Sequence, residues 1–170
     1  MIHNYFICIS TKREDTFIGG LSMGGYGAFK IAMRNPDKYA AAMSMSGAMD
    51  PVYSLRGEPK ESPKCLGFTE NIANIFGSPE EFDGSDNDLF CLVRQLEKKT
   101  GPKPRFFATC GSEDSLLESN YRMEKVMKEE THLDYTLKVS PGLHNWFFWN
   151  KSIVDVLDFI GYKPVTDSWN

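Results

Sequence analysis

One serine of this sequence lies between glycines in a pattern that can make a hydroxyl group nucleophilic. The segment Gly20-Leu21-Ser22-Met23-Gly24 matches G-x-S-x-G and separates a short apolar run from a segment of helical period. The bare pattern is common, so its place between a predicted strand and a predicted helix is what makes it informative. A residue on such a sharp turn has strained backbone angles and needs small residues two positions away on each side. Gly20 and Gly24 meet this need, and Gly25 extends it.

A plain turn or a phosphate-binding loop is the alternative interpretation of GGLSMGGYG. G-x-G-x-x-G does not fit this segment in any register, and no Gly-Lys-Ser or Gly-Lys-Thr follows it. A plain turn gives no reason for a serine between the glycines. We therefore treat Ser22 as a candidate nucleophile.

A nucleophilic serine needs a neutral imidazole to take its proton and a carboxylate to orient that imidazole. Asp114 follows one predicted strand in CGSEDS, and His144 follows another in PGLHNW. Because the carboxyl ends of parallel strands meet at one edge of a sheet, these side chains can converge on Ser22. Their chain order is serine, acid, histidine, as in α/β hydrolases.

Each of these partners also has a structural interpretation. Asp114 could simply cap the helix that is predicted to begin at Ser115. His144, which precedes an aromatic-rich helix, could be a structural histidine. Glu113 is an alternative acid, although Asp114 fits the pattern better.

Short apolar runs alternate with helical segments along the chain, which predicts an α/β fold. We expect a mainly parallel sheet of about four strands flanked by helices, in one domain over 1–170. The predicted strands are 16–21, 39–46, 105–110 and 134–139, the last of them an edge strand partly open to solvent. The first predicted helix is 23–34, and the second begins at about 89 and is ended by Gly101-Pro102. The third is 115–130, with a capping box of Ser115 and Glu118. A last helix ends before Gly161 and has on one face Trp146, Trp149, Ile153, Val156, Leu157 and Ile160.

The stretch 47–86 is rich in proline and glycine and has little sustained period. We expect it to run irregularly near the candidate site. A lid or pocket wall and a merely irregular connection are both compatible with it.

Charge and hydropathy exclude several partners. The net charge of −4 is spread along the chain and offers no basic surface for nucleic acid or anionic lipid. The apolar run 5–9 is too short for a signal peptide, and no stretch approaches the roughly 20 residues of a membrane span. The sequence therefore predicts a soluble protein.

The cysteines and histidines show no metal-binding spacing, so we expect no metal site. The four cysteines form no CxxC pair, and three lie in apolar segments, which is typical of buried free thiols. Free thiols persist in a reducing compartment, and we therefore expect a cytoplasmic location.

Four separated blocks of the chain resemble those of the esterase D-like α/β hydrolases, which include tributyrin, acetyl and feruloyl esterases and S-formylglutathione hydrolases. The blocks are KREDTFIGGLSMGGYGAFKIA, FGSPEEFDGSDNDLF, CGSEDSLL and GLHNWFFW, in the family's order. The resemblance implies that Ser22 is the nucleophile, His144 the general base and Asp114 its orienting acid. It also implies an oxyanion hole that uses the backbone N–H of Met23, a small-molecule ester substrate and no cofactor.

Two substitutions near the implied site depart from the common family pattern. Ser115 and Leu143 stand where an aromatic and a small residue are common, which can reshape the acyl pocket. Leu143, and Trp146 two residues after the histidine, are candidate substrate-binding residues.

The resemblance leaves the front of the family's fold unmatched. The family has several strands and a helix before its nucleophile strand, whereas about fifteen residues precede Thr16 here. We therefore expect a partial sheet without the loop that supplies the second oxyanion donor. The strand 16–21 becomes an open edge, with Phe17 and Ile18 uncovered. Self-association through that edge, completion by another segment, and a truncated product with impaired activity are the alternatives.

Three functions are compatible with these residues. The leading one is hydrolysis of short-chain carboxylic esters through an acyl-enzyme. Acyl transfer to an alcohol uses the same residues. A non-catalytic remnant that acts as a binding or assembly module is the alternative from another class.

Overall fold

The computed structural model describes residues 10–56 and 68–162 as an α/β fold. Its strands are β1 (Phe17–Leu21), β2 (Ala41–Met45), β3 (Arg105–Gly111) and β4 (Tyr135–Ser140). Its helices are α1 (Met23–Arg34), α2 (Phe68–Phe76), α3 (Pro79–Phe82), α4 (Leu89–Lys98), α5 (Leu117–Glu130) and α6 (Trp146–Phe159), with 3-10 turns at Arg13–Asp15 and Tyr53–Leu55.

The four strands form one parallel sheet in the order β1-β2-β3-β4. All of β2 is buried, although its sequence AAMSM has weak strand propensity. Its two neighbouring strands and the layers on both faces determine its conformation. The sheet confirms the predicted four-stranded parallel architecture, and β4 is an outer, half-buried strand as expected.

Helices cover both faces of the sheet, and alternate residues of each strand face opposite layers. Phe106 packs with α1, α4 and α5, where Phe29, Leu96 and Met123 are fully buried. The next residue, Phe107, packs with α6 on the other face. Among the described residues, α6 covers the second face, whereas several helices contribute to the layer on the first.

The outer strand β1 is less open than predicted. Phe17 and Ile18 are half-buried, because Phe17 packs against the α6 layer and Ile18 against the opposite layer. An apolar groove of about 330 Å³ nevertheless lies between β1 and α6. It is lined by Gly19, Gly20, Leu21, Met43, Met45, Ile153, Val156, Leu157 and Ile160. We call it the β1–α6 groove.

The prediction of an irregular stretch over 47–86 is wrong where α2 and α3 form. Ile72, Phe76 and Phe82 are buried in the first layer, so tertiary packing stabilises these short helices. Ser78 and Glu81 form a capping box at the start of α3. Residues 57–67 of this stretch lie outside the described residues.

Two predicted helix details are also wrong. Helix α5 begins at Leu117, without the predicted capping box of Ser115 and Glu118. The predicted face of α6 is shifted, because Phe148 and Ser152 are buried while Trp146 and Ile153 are exposed. Trp146 is the first residue of α6, at the end of the sheet, and Ile153 lines the β1–α6 groove. Gly161 has the positive φ expected of a residue that ends a helix.

The cysteine prediction holds in part. Cys110 is a buried free thiol, and Cys91 is also free but partly exposed on α4. Cys8 and Cys65 lie outside the described residues. Within the described part of the chain, no helix combines the length and hydropathy needed to cross a lipid bilayer.

Candidate active site

Ser22 lies on a sharp turn between β1 and α1, at the carboxyl end of β1. Its backbone has φ 53° and ψ −122°, a conformation that costs an ordinary residue about 1–3 kcal/mol. Its N–H donates to the carbonyl of Met45 at 2.9 Å, and its carbonyl accepts from Gly25 and Ala48 at 3.0 and 3.3 Å. Neighbouring elements therefore fix the strained turn on both sides.

The glycines of the motif permit this turn, although not in the way predicted. A side-chain carbon on Gly20 would overlap the backbone of Gly24, and one on Gly25 would overlap the buried Ser44 hydroxyl. A side-chain carbon on Gly24 would meet no atom within 4 Å. After Ser22, the position that has no room for a side chain is therefore Gly25 and not Gly24. The backbone of Gly24 is what excludes a side chain at Gly20.

His144 lies in the loop between β4 and α6 and faces Ser22. Its Nε2 is 3.0 Å from Ser22 Oγ. The following residue, Asn145, caps α6 by accepting a hydrogen bond from the N–H of Phe148 at 3.1 Å. The indole of Trp149 lies perpendicular to the imidazole, with ring centroids 5.0 Å apart. The start of α6 thus fixes the imidazole.

Asp114 completes a hydrogen-bonded series at the carboxyl end of β3. Its Oδ2 and Oδ1 are 3.0 and 3.1 Å from His144 Nδ1, and its side chain is fully buried. Oδ1 also accepts from the N–H of Leu116 at 2.8 Å. Burial by itself raises the pKa of Asp114, but hydrogen bonds, first that of His144, outweigh it and hold this pKa below its usual value. The carboxylate therefore contacts the histidine and also binds the turn before α5.

Glu113, the alternative acid, binds elsewhere. Its Oε2 accepts a hydrogen bond from the N–H of Gly142 at 2.7 Å. This hydrogen bond is the first cause that lowers the pKa of Glu113. Glu113 is thus a carboxylate that contacts the histidine loop two residues before His144.

Of the remaining predicted residues, Met23 begins α1, so its N–H has no partner within the helix and can bind an oxyanion. Leu143 and Trp146 flank His144 and are 55% and 65% exposed. Phe147 beside them is 89% exposed, which the sequence pattern does not indicate. The aromatic run WFFW marks the apolar character of this segment but does not show which ring faces solvent.

Two further side chains lie near the site although their sequence pattern gives no sign of it. The sequence predicts Trp149 only on an apolar helix face, and its contact with His144 depends on how α6 docks on the sheet. Cys110 lies four residues before Asp114, and burial raises the pKa of its thiol to about 12. That thiol stays protonated at neutral pH, so Ser22 is the stronger candidate nucleophile.

Among the described residues no three His, Cys, Asp or Glu side chains are grouped to bind a metal ion.

A family model and a curated protein both match most of this chain. The Esterase family model matches residues 9–160. An acetyl esterase of Caldicellulosiruptor saccharolyticus is 32% identical over 152 residues, which cover 89% of this chain and 56% of the relative.

Solved structures agree with this family match. An S-formylglutathione hydrolase from Staphylococcus aureus is 25% identical, with a TM-score of 0.77 over 95% of this chain and 59% of that one. A fluorophosphonate-binding serine hydrolase from the same organism, also 25% identical, has a TM-score of 0.78 over 95% of this chain and 60% of its own. The chain thus spans little more than half the length of these relatives. Because the family match covers most of its residues, the chain belongs to the Esterase family, within the esterase D-like α/β hydrolases.

Proposed function

We propose that this chain is a serine carboxylesterase that hydrolyses short-chain acyl esters through Ser22, His144 and Asp114. The observation that carries the proposal is the series of hydrogen bonds from Ser22 Oγ to His144 Nε2 and from His144 Nδ1 to Asp114, all between 3.0 and 3.1 Å. This geometry lets one imidazole accept the serine proton while a carboxylate orients its ring. Membership in the Esterase family supports the same chemistry.

The reaction has two steps that share the imidazole. Ser22 Oγ attacks the acyl carbon while its proton passes to His144 Nε2. The carbon–oxygen bond to the alcohol then breaks, and Nε2 returns the proton to the leaving oxygen, so that an acyl-Ser22 ester remains. A water molecule repeats the attack with His144 as base, which releases the carboxylic acid and restores the serine.

Asp114 and Met23 stabilise the charges that develop. Asp114 remains a carboxylate because its pKa is lowered, and it stabilises the imidazolium that forms on His144. The N–H of Met23 donates to the oxyanion of the tetrahedral intermediate. The loss of one such donor typically costs about 10²–10³ in rate.

The substrate contacts apolar side chains beside the histidine. Leu143 and Trp146 provide exposed apolar surface next to His144, which suits a small acyl or alcohol group. Both steps of the reaction use protein groups and water, and no cofactor enters them. The free thiols of Cys91 and Cys110 suit a reducing compartment such as the cytoplasm.

Hydrolysis of a series of p-nitrophenyl esters, from acetate to octanoate, tests this proposal. We expect kcat/KM to be highest for the shortest acyl chains and to fall at acid pH, because a protonated His144 cannot accept the serine proton. Folded protein that hydrolyses none of these esters would contradict the proposal. Products formed with added alcohol distinguish hydrolysis from acyl transfer, because transfer yields a new ester in place of the acid.

We further propose that a second copy of the chain pairs with β1. This strand is an outer strand of the described sheet and lies beside the apolar β1–α6 groove. Outer strands with unpaired backbone groups can pair with another chain, and an apolar groove strengthens such pairing. Light scattering over a hundredfold concentration range should show growth in mass. A monomer at every concentration would contradict this pairing.

A further inference from the structure

The loops that carry Asp114 and His144 are bonded directly to each other. Beyond the paired strands β3 and β4, the N–H of Ser112 donates to the carbonyl of Ser140 at 2.9 Å. One step further, the N–H of Glu113 donates to the carbonyl of Gly142 at 3.0 Å. The parallel pairing of β3 and β4 thus continues into the two loops that end at Asp114 and His144.

Glu113 makes a second bond to the same residue with its side chain. Its Oε2 accepts from the N–H of Gly142 at 2.7 Å, the length of a charge-assisted hydrogen bond. Both backbone polar groups of Gly142 are therefore bound by Glu113. We call this two-bond contact the Glu113–Gly142 pair. Two bonds to one residue fix its orientation as well as its position.

Close packing limits movement of the histidine loop in the other directions. A side-chain carbon on Gly111 would overlap the carbonyl of Gly142, and one on Gly142 would overlap the ring of Phe148 in the first turn of α6. Gly142 therefore lies tightly between the end of β3 and the start of α6. The packing blocks movement toward these neighbours, and Glu113 opposes movement away from them.

The position of His144 leaves little tolerance. The imidazole is hydrogen-bonded on one side to Ser22 and on the other to Asp114, at 3.0–3.1 Å. A shift of about 1 Å breaks such bonds and can lower a catalytic rate by about 10². The residue that fixes the loop two positions earlier therefore bears directly on this geometry.

We propose that Glu113 is a positioning residue of the esterase site, which fixes His144 between Asp114 and Ser22 by binding both backbone groups of Gly142. The inference rests on the proposed function. It gives Glu113, the first of the two carboxylates in CGSEDS, a role distinct from that of Asp114. Glu113 does not touch the reacting atoms; it acts through Gly142.

Three variants test the proposal: Glu113→Ala, Glu113→Gln and Glu118→Ala. Glu118 is an exposed carboxylate on the first turn of α5 and serves as the matched control. We expect Glu113→Ala to lower kcat for p-nitrophenyl acetate by about 10- to 100-fold without a change in KM. Glu113→Gln should recover most of that rate, because its amide oxygen still accepts from Gly142. Glu118→Ala should match the wild type, and thermal unfolding should show all three variants folded at the assay temperature.

A wild-type kcat in Glu113→Ala would overturn the proposal, as would a kcat in Glu113→Gln as low as in Glu113→Ala. If the wild-type chain itself hydrolysed no ester, the proposed function would fail, and amide hydrogen exchange would test the pair separately. Exchange at the Gly142 N–H should then be faster in Glu113→Ala and unchanged in Glu118→Ala. Equal exchange in the two variants would overturn the pair.

Discussion

The carboxyl ends of the strands and the β1–α6 groove are two regions of opposite character. At the carboxyl ends, polar groups from three loops bind one another, with Ser22, His144 and Asp114 in one hydrogen-bonded series. The groove is apolar and lies beside an outer strand. The candidate site therefore depends on contacts between described residues of one chain, whereas the groove leaves apolar surface that a second chain can cover.

The largest effect should follow from Asp114→Asn, which acts on the first region alone. An asparagine in its place can keep the shape of the side chain but loses the charge that orients and stabilises His144. We expect kcat to fall by about 10³–10⁴. Steady-state kinetics check this, with Glu118→Ala, an exchange at an exposed position of α5, as a control that should retain the wild-type rate. A rate within tenfold of wild type would show that Asp114 serves mainly the turn before α5.

A smaller effect is expected on stability, where alanine substitutions at the adjacent Gly24 and Gly25 should change the free energy of unfolding in opposite directions. A side chain at Gly25 would overlap Ser44 Oγ, whereas one at Gly24 would meet open space. We expect Gly25→Ala to lower the free energy of unfolding by about 1–3 kcal/mol. Gly24→Ala should raise the free energy of unfolding by about 0.5–1 kcal/mol, because alanine favours a helix over glycine. Urea unfolding of both variants measures the difference, and equal values would contradict the described packing of the turn.

A charge introduced into the β1–α6 groove should weaken self-association without changing the candidate active site. Ile153 is 39% exposed and lines the β1–α6 groove. We expect Ile153→Lys to weaken self-association by about tenfold, about 1.4 kcal/mol, because a buried unpaired charge opposes pairing. The esterase rate per chain should not change. Sedimentation at several concentrations measures the association, and an unaltered dissociation constant would exclude the groove from the interface.

The smallest effect concerns stability at acid pH. Because folding lowers the pKa of Asp114, its contribution to stability is fully present above the unfolded value of about 3.9. That contribution is lost as the pH falls through the lower folded pKa. The difference in melting temperature between wild type and Asp114→Asn should therefore shrink below about pH 4. A constant difference down to pH 2 would contradict the lowered pKa.

The sequence predicts the strands, most helices and the candidate residues because those depend on local patterns. Helix α4 shows this, because its apolar residues at helical spacing are all buried: Leu89, Leu92, Val93 and Leu96.

Helices α2 and α3 are absent from the prediction although the sequence marks both helices. Phe68, Ile72 and Phe76 recur at intervals of four residues in α2, and Ser78 and Glu81 form the capping box of α3. The packing of Ile72 and Phe82 against the rest of the core then stabilises these short helices. The burial of Ile72 and Phe82 depends on residues that are distant in the sequence, so a local sequence pattern does not predict it.

The details of the site required the fold as well. The sequence pattern favours Asp114 over Glu113 as the acid, but it does not indicate which groups either carboxylate binds. The docking of β4 beside β3 orients Asp114 toward His144 and Glu113 toward Gly142. The same holds for Trp149, whose contact with the imidazole depends on the angle at which α6 crosses the sheet.

Covalent labelling with a fluorophosphonate probe reports whether Ser22 is an activated nucleophile, because the probe reacts with a serine that an adjacent base activates. Peptide mass spectrometry should place the label on Ser22, and Ser22→Ala and His144→Ala should each abolish it while remaining folded. Folded wild-type protein that takes up no label, or takes it up at another residue, would show that Ser22 is not the nucleophile.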